Sequence, residues 1–424
     1  MTTFVEAHLT VPRTEALQRL EWWGAAIVLL ILSSAFIPLL LAGPGGGMDD
    51  GTRTALRLMA VLAGLLSAAL IWLRPGRLVQ ALERNLAFAA LLLLPFVSAF
   101  WSINSTESME SAVALLLGML LPYLVAIRFT PRQFLRLLAV VLGACMAASL
   151  LLMVASPGLA FMPGESNLRG VFLHKNVLGW AASLSCIVAA GMIRDPSRRV
   201  ARWARALLLA SLACVVMSGS ATALLSLVAA IALTAFHLVL RRSRGLGRVV
   251  VLLVSLQLAG ILLFFLNTLL VPVLEALGKD ATLTGRVPLW AFVDAEIARH
   301  RILGVGYRVF WTEGSAGAWN IWIQIGWMAP HAHNGYRDML LSFGLAGMAP
   351  LALVLVQALY QGARLQLAFP GEGWMCLNVL VGVFLTMNLT ESLFLEPGAL
   401  PWIVFASAVL MFSTHASRLR HRSP

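Results

Sequence analysis

Charged side chains are scarce in this sequence, and lysine is almost absent. Of the 424 residues, 12% are charged and 60% are hydrophobic, whereas an average soluble chain is about a quarter charged and about half apolar. This composition excludes soluble enzymes, nucleic-acid-binding proteins and disordered chains as classes. Only Lys175 and Lys279 are lysines among the 31 basic residues, so the net charge of +12 is nearly all arginine. We therefore predict an all-α, polytopic helical membrane protein.

Sequence patterns of soluble enzymes and of metal or disulfide sites are missing as well. The four cysteines form no CxxC pair and all lie in apolar runs, so we interpret them as small buried hydrophobic residues: Cys145, Cys186, Cys214 and Cys376. A P-loop, a GxSxG elbow, an HExxH helix and a DxD-type metal motif are absent, so nothing supports nucleotide hydrolysis or nucleotide-sugar chemistry. No small-residue cleavage site follows the first apolar run, so no cleavable signal peptide is expected.

Long apolar runs are what the sequence has in abundance. They predict a single integral membrane domain over residues 1–424 with twelve spans, at 23–42, 54–73, 85–101, 109–127, 133–155, 172–193, 204–219, 221–240, 249–270, 335–360, 373–393 and 398–415. Loops rich in arginine, such as the one with Arg128, Arg132 and Arg136, alternate with loops that carry Asp or Glu. The positive-inside rule places the arginine-rich loops in the cytoplasm, together with both termini.

One long loop, at 271–334 between spans nine and ten, then faces the opposite side of the membrane. Long irregular loops of this kind are usually functional or disordered, and five tryptophans argue against disorder here. Within the loop, Pro288 to about His300 predicts an interfacial amphipathic helix. Its apolar side carries Leu289, Phe292, Val293 and Ile297.

Positive charge gathers on this outward side at the predicted start of span six. Arg169, His174 and Lys175 bring three donors to a helix N-terminus, which already carries partial positive charge and unpaired N–H groups. Clustered cations there are unfavourable unless an anion is bound, and a phosphate is the obvious anion. The alternative is a set of interfacial side chains that snorkel toward water.

A second cation, Arg286, stands just before the predicted interfacial helix, again at a positive dipole end. Its planar guanidinium can hold two phosphate oxygens and stays charged at any relevant pH. The alternative is an exposed loop arginine. With Arg169 on the same side of the membrane, both interpretations stay open.

Two histidines precede span ten, in Pro330-His331-Ala332-His333-Asn334-Gly335-Tyr336. A neutral imidazole can take a proton from a sugar hydroxyl near neutral pH, so we predict acid/base chemistry here. Interfacial or capping roles are one alternative. Metal binding is another, but no carboxylate or cysteine stands near these histidines in the sequence. Glu391, near the outer end of span eleven, is either a partner for one of the arginines or a simple loop residue.

With these residues in hand, the chain resembles the O-antigen ligase/Wzy polymerase family of bacterial membrane glycosyltransferases, from about Leu92 to Ser392. Four features carry the resemblance: Ser98-Ala99-Phe100-Trp101-Ser102, the block Gly170 to Gly179 with its His-Lys-Asn, Gly285-Arg286 followed by Trp290, and His333-Asn334 followed by Gly344 and Gly347. The His-Lys-Asn block is similar to the ExoQ-like exopolysaccharide polymerase branch. The arginine motif departs from the ligase form Arg-x-x-x-Leu, since Leu289 comes one residue early. The His-Asn-x9-Gly-x2-Gly pattern of ligases is matched in full.

The resemblance implies glycosyl transfer without metal or cofactor, on the periplasmic face of the bacterial inner membrane. The donor would be an undecaprenyl-pyrophosphate-linked glycan, and the acceptor would be another lipid-linked glycan or lipid A-core. A chain-length regulator is a further expected partner besides the lipid bilayer. The catalytic residues would be His333 as the base, with Arg286 and Arg169 holding the pyrophosphate. The expected substrate-binding residues are His174, Lys175, Asn176, His331, Asn334, Tyr336 and Glu391.

Three functions remain open at this point. The His-Lys-Asn block and the inexact arginine motif favour a polymerase of lipid-linked repeat units. The complete His-Asn-x9-Gly-x2-Gly pattern favours a ligase that moves finished glycan onto lipid A-core. A transporter of lipid-linked sugars predicts ionisable residues near the bilayer midplane and two related halves, and the sequence shows neither.

Overall fold

The computed structural model of the protein describes residues 15–42, 50–73, 75–264 and 286–420, and in these ranges the chain is helical with no strand. The helices of the first half are α1 (Glu15–Leu32), α2 (Ile37–Ala42), α3 (Asp50–Trp72), α4 (Gly76–Glu83), α5 (Leu86–Ser98), α6 (Ser105–Arg128), α7 (Pro131–Ala155), α8 (Pro157–Ala160) and α9 (Lys175–Met192). Those of the second half are α10 (Arg198–Ser218), α11 (Ala221–Arg242), α12 (Leu246–Phe264), α13 (Arg286–Arg299), α14 (Ala316–Ile325), α15 (Gly335–Ala368), α16 (Trp374–Met387), α17 (Leu400–His415) and α18 (Ser417–Arg420). The predicted all-α fold is confirmed.

Seven of the described helices are long and apolar enough to cross a membrane: α3, α6, α7, α10, α11, α15 and the helix over α17 and α18. An eighth results if α4 and α5, which meet at a bend of 86°, form one span. The chain is therefore a multi-pass membrane protein, but the predicted count of twelve spans is not confirmed.

Backbone breaks account for much of the difference in span count. The run predicted at 23–42 ends as a helix at Leu32 and resumes at Ile37, with Ser34 and Phe36 at positive φ between the two pieces. The run predicted at 373–393 is helical only to Met387. Hydropathy measures apolar composition over a window, and it does not detect a change of backbone direction within that window.

Helix α17 lies at the centre of the bundle, with 78% of its membrane-length window buried. Aromatic rings line its contacts: Phe405 stacks on Phe384 with centroids 4.4 Å apart, and Trp402 stacks on Phe88 at 6.0 Å. Lipid tails are as apolar as these side chains, so removing the side chains from lipid provides little driving force for helix association. Close packing between the helices therefore holds them together. This packed centre fixes the ends of α16 and α17, and the loop between them carries Glu391.

The segment that was predicted as a long periplasmic loop is structured over its described part. Residues 271–285 lie outside the described ranges, and the side of the membrane stays a prediction. A helix, α13, lies where the interfacial helix was predicted and begins two residues before Pro288, and its location at a membrane interface stays a prediction. Its Leu289 and Val293 are fully buried in a small core with Phe310 and Trp322. This core supports the loop that leads into α15.

Candidate active site

Two loops meet at the outer end of α15, where the predicted histidines lie. The amide N–H of Gly335 donates to the carbonyl oxygens of Asn388, at 2.8 Å, and Glu391, at 2.9 Å. This backbone pairing joins the loop before α15 to the loop after α16. As a result His333 and Glu391, 58 positions apart in the sequence, become neighbours.

His333 has a strained backbone and faces a buried carboxylate. Its φ is +49°, in the left-handed region that costs a non-glycine residue roughly 1–3 kcal/mol. Its Nδ1 is buried and lies 3.7 Å from Oε2 of Glu391, whose side chain is 2% exposed. That distance exceeds a hydrogen bond, so the carboxylate acts on the ring through its charge. A negative charge beside Nδ1 favours the tautomer with the proton there, which leaves Nε2 able to accept a proton.

Glu391 also holds Arg286, at the other oxygen of its carboxylate. Nη2 of Arg286 lies 3.6 Å from Oε1 of Glu391, and Nη1 donates to the carbonyl oxygen of Thr390 at 2.8 Å. The hydroxyl of Thr222 donates to the same Oε1 at 3.1 Å. Burial raises the pKa of the Glu391 carboxyl, but His333 and the charge of Arg286 outweigh burial and lower that pKa below its usual range. Glu391 is therefore ionised at neutral pH.

The imidazole of His331 packs edge-on against that of His333. The two imidazole centroids are 4.1 Å apart, and Nδ1 of His331 accepts a hydrogen bond from the His333 amide at 3.1 Å. Burial lowers the pKa of His331 to about 3, with the neighbouring His333 acting in the same direction. His331 is therefore neutral under physiological conditions and serves as a fixed acceptor for the His333 backbone.

No carboxylate stands near the two histidines in the sequence, but in the structure Glu391 lies beside them. Ligand atoms of His331, His333 and Glu391 lie within 4.8 Å of one another. Two imidazoles and a carboxylate form a set that zinc accepts. Arg286 occupies the same carboxylate, however, and its positive charge opposes a cation there.

Ala332, between the two histidines, is held by both of its backbone polar groups. Its N–H donates to Oδ2 of Asp338 at 3.0 Å, and its carbonyl accepts from Nε1 of Trp290 at 2.8 Å. Asp338 also accepts from the hydroxyl of Ser392, which in turn accepts from the Asn334 amide. These contacts fix the His333 backbone in its strained conformation. Sequence reasoning missed Asp338 and Ser392, although a carboxylate in the first turn of an apolar helix is a signal of function.

The pattern His-Asn-x9-Gly-x2-Gly has a structural explanation in α15. The side chain of Asn334 caps the helix by accepting from the amides of Tyr336 and Arg337, both at 3.1 Å. Gly344 breaks the helix at φ +57°, where a Cβ would lie 2.3 Å from the backbone of Ile302. The hydroxyl of Tyr336 donates to the carbonyl of Leu385. Asn334 and Tyr336 thus anchor the helix, and their predicted contact with substrate stays a prediction.

The His-Lys-Asn block begins α9. His174 caps the helix, its Nδ1 accepting from the Asn176 amide at 3.1 Å. Lys175 forms an ion pair with Glu165, so its charge is compensated within the protein. His174 itself lies within electrostatic range of Glu391 and His333. The block therefore borders the cluster formed by His331, His333 and Glu391. Of the three residues of the block, His174 is the one whose position favours a role in that cluster.

Arg169 lies deeper than the sequence predicted. The residue is 1% exposed, and its Nε donates to the carbonyl of Leu159 at 3.0 Å. Its amide donates to the carbonyl of Ala160 at 2.8 Å. Arg169 is thus held by the segment around α8, whereas Arg286 is held at Glu391. A joint role of both arginines on one pyrophosphate stays a prediction.

The motif Ser98-Ala99-Phe100-Trp101-Ser102 supports the site from below α15. The Ser98 hydroxyl accepts from the Tyr307 amide at 3.2 Å, and Nε1 of Trp101 donates to the carbonyl of Leu303 at 2.9 Å. A cavity of about 1320 Å³ opens beside this segment. Its walls include His331, Asp338 and the ion pair of Arg308 with Glu396.

Comparison with known proteins agrees with the motifs. Residues 206–352, which contain Arg286 and His333, match the O-antigen ligase family model. The chain is 30% identical over 209 residues to the exopolysaccharide production protein ExoQ of Rhizobium meliloti, in an alignment that covers 47% of each chain. The chain thus spans about half the length of the curated relative that it matches. The predicted resemblance is confirmed as a similarity: this multi-pass membrane protein matches the O-antigen ligase family model over residues 206–352 and is similar to ExoQ.

Proposed function

We propose that the protein is a membrane glycosyltransferase that polymerises undecaprenyl-pyrophosphate-linked repeat units into exopolysaccharide or O-antigen at the periplasmic face of the inner membrane. The observation that carries the proposal is the contact of one buried carboxylate, Glu391, with both a histidine and an arginine. A base for the acceptor and a cation for the leaving group are the two parts that the transfer needs. Similarity to ExoQ favours a polymerase.

In the proposed reaction, Nε2 of His333 takes the proton of an acceptor hydroxyl as its oxygen attacks the anomeric carbon. The bond from that carbon to the lipid pyrophosphate breaks, and the pyrophosphate leaves with both electrons. His333 becomes a positively charged imidazolium when it takes the proton. Glu391 stabilises this imidazolium, because the carboxylate and the charged ring then form an ion pair. Arg286 offsets the charge that builds on the leaving group. Such a base typically contributes a factor of roughly 10²–10⁴ in rate.

The remaining predicted residues are assigned around this centre. His174, Lys175 and Asn176 would contact the donor from the start of α9, with Arg169 behind them. His331, Asn334 and Tyr336 would shape the side from which the acceptor approaches. No metal or cofactor takes part in the proposed transfer, and a chain-length regulator would act on the product.

A ligase that transfers lipid-linked glycan to lipid A-core is the second candidate. The match of residues 206–352 to the O-antigen ligase model favours it. A deletion strain separates the two: a polymerase mutant lacks long polymer, whereas a ligase mutant accumulates lipid-linked polymer that is not transferred. The third hypothesis, a transporter of lipid-linked sugars, fails if the purified protein forms glycosidic bonds.

The direct test is a purified-protein assay with lipid-linked repeat unit and no nucleotide. Wild type should form longer glycans, and His333→Ala should reduce the rate at least 100-fold at an unchanged membrane level. His300→Ala is the matched control, because His300 is a more exposed histidine paired with Glu296 at the end of α13. Substantial residual polymer in His333→Ala removes His333 as the base.

A further inference from the structure

We propose that the cavity beside His331 is the acceptor subsite and that it takes a neutral or amine-bearing glycan in preference to an anionic one. The inference rests on the proposed glycosyl transfer and adds a substrate class to it. It depends on the position of the cavity, on the charges of its walls and on its polar and aromatic surface.

The cavity borders the proposed base through His331. His331 and Ser392 line it, and the His331 ring lies 4.1 Å from that of His333. His333 faces Oε2 of Glu391, whereas Arg286 contacts Oε1. Arg286 is not among the described residues that line the cavity, so we assign the donor pyrophosphate to Arg286 and the acceptor to the cavity beside His331.

The cavity walls carry more negative than positive groups. The described lining includes four carboxylates and two guanidinium groups: Glu107, Glu110, Asp338, Glu396, Arg57 and Arg308. Arg308 is engaged by Glu396, and His331 is neutral. Glu107 and Glu110, in the first turns of α6, outnumber Arg57, the remaining cation of the described lining, and give this wall a negative potential. A uronic acid would be repelled there, and an amino sugar would be attracted.

The size of the cavity and the polar part of its lining suit several sugar residues, whereas side chains such as Val61, Leu117 and Phe343 make the rest of the lining apolar. Its volume of about 1320 Å³ exceeds the roughly 300–1,000 Å³ of sites for single drug-sized ligands. Trp311 offers an aromatic surface, and hydroxyls of Ser111 and Ser342 line the walls. The indole N–H of Trp180, another lining residue, is buried with no hydrogen-bond acceptor in the described part of the chain. A sugar oxygen would supply that acceptor.

Binding of three tetrasaccharides to the purified full chain, measured by isothermal titration calorimetry, tests the inference. The probes are maltotetraose, which is neutral, tetraglucosamine, which carries amines, and tetragalacturonate, which is anionic. Wild type should bind the first two at least about tenfold more tightly than the third, as expected for a nearby like charge. The variant Glu107→Gln/Glu110→Gln should bring the three affinities within about threefold. Glu313→Gln, at an exposed carboxylate, is the matched control and should keep the wild-type discrimination.

Each other outcome overturns the inference. Absence of binding by all three probes, equal affinity for tetragalacturonate, or discrimination that survives the double substitution would each do so. Ser111→Trp should weaken binding by occupying part of the cavity, and unchanged binding of all three probes would place the glycan elsewhere. The polymerisation assay on the same wild-type sample separates the two proposals. Polymer formation without discrimination removes only this inference, whereas selective glycan binding without bond formation removes the proposed function.

Discussion

In the described part of the chain, two arginine–carboxylate contacts with a buried carboxylate differ in what surrounds them. Arg128 and Glu21 join α6 to α1 at 3.2 Å, and both side chains are 0% exposed. Arg286 contacts Glu391 at 3.6 Å and remains 22% exposed, and the same carboxylate also faces His333. In the first pair, the two charges compensate each other inside the protein. The second has a basic third partner and an accessible arginine, so its charges can act on a bound molecule.

Replacing each of the two carboxylates by the neutral amide of glutamine is the sharpest test of this comparison. Glu391→Gln should lower the polymerisation rate about 100-fold or more, because a neutral amide does not stabilise the His333 imidazolium. Glu21→Gln should instead lower the free energy of unfolding by about 3–5 kcal/mol, because Arg128 stays charged in a buried place. Rate per folded molecule and thermal unfolding in detergent measure the two effects. The comparison fails if Glu21→Gln slows catalysis as much as Glu391→Gln at equal folded protein.

Replacing Arg286 by lysine tests whether guanidinium geometry matters at the site. Arg286→Lys keeps the charge but loses the planar fork, so the rate should fall about tenfold. Initial rates at saturating lipid-linked substrate measure the effect, with Arg299→Lys, at the exposed end of α13, as the control. Near-normal turnover in Arg286→Lys would show that Arg286 acts only as a structural charge.

The pH dependence of stability should report the half-buried His331. Its folded-state pKa of about 3 lies below its ordinary value of 6.5. The unfolded chain therefore binds a proton that the folded chain excludes between these pH values. Stability from His331 is complete above about pH 6.5 and falls with acidification, by at most about 1.4 kcal/mol per pH unit. His331→Gln should flatten this part of the curve in thermal unfolding from pH 7 to pH 5, and an unchanged slope would contradict the assignment.

Metal removal should have the smallest effect. His331, His333 and Glu391 form a group with metal-ligand spacing, but Arg286 shares the carboxylate. Dialysis against EDTA should therefore change the polymerisation rate less than about twofold, since the proposed chemistry depends on His333 and Arg286. Loss of activity that zinc restores would instead make the site a metal centre.

Much of the helical architecture could be predicted from the sequence, because apolar runs of membrane length are local features. The helix at α13 was predicted from the spacing of Leu289, Phe292, Val293 and Ile297, and Leu289 and Val293 are buried in a small protein core. The span count was not predictable in this way, since breaks at Ser34 and Phe36 depend on backbone geometry.

The site was predicted in part. The sequence singled out His333, Arg286 and Glu391 as separate residues with unusual chemistry for their places in an apolar chain. It did not reveal that one carboxylate contacts the other two, because contacts across 58 and 105 positions depend on the packing of α15 and α16. Arg128 shows the reverse case: a predicted loop arginine is buried and paired with Glu21.

The sequence by itself determined that this is an all-helical membrane protein with a few ionisable residues where lipid would oppose them. Those properties follow from composition and local pattern, since lipid selects for apolar runs and penalises every charge. Only the tertiary structure decided which charges neutralise one another inside the protein and which remain accessible. Arginine and carboxylate attract each other in both places, and burial and the identity of the third neighbour distinguish a structural pair from a candidate active site.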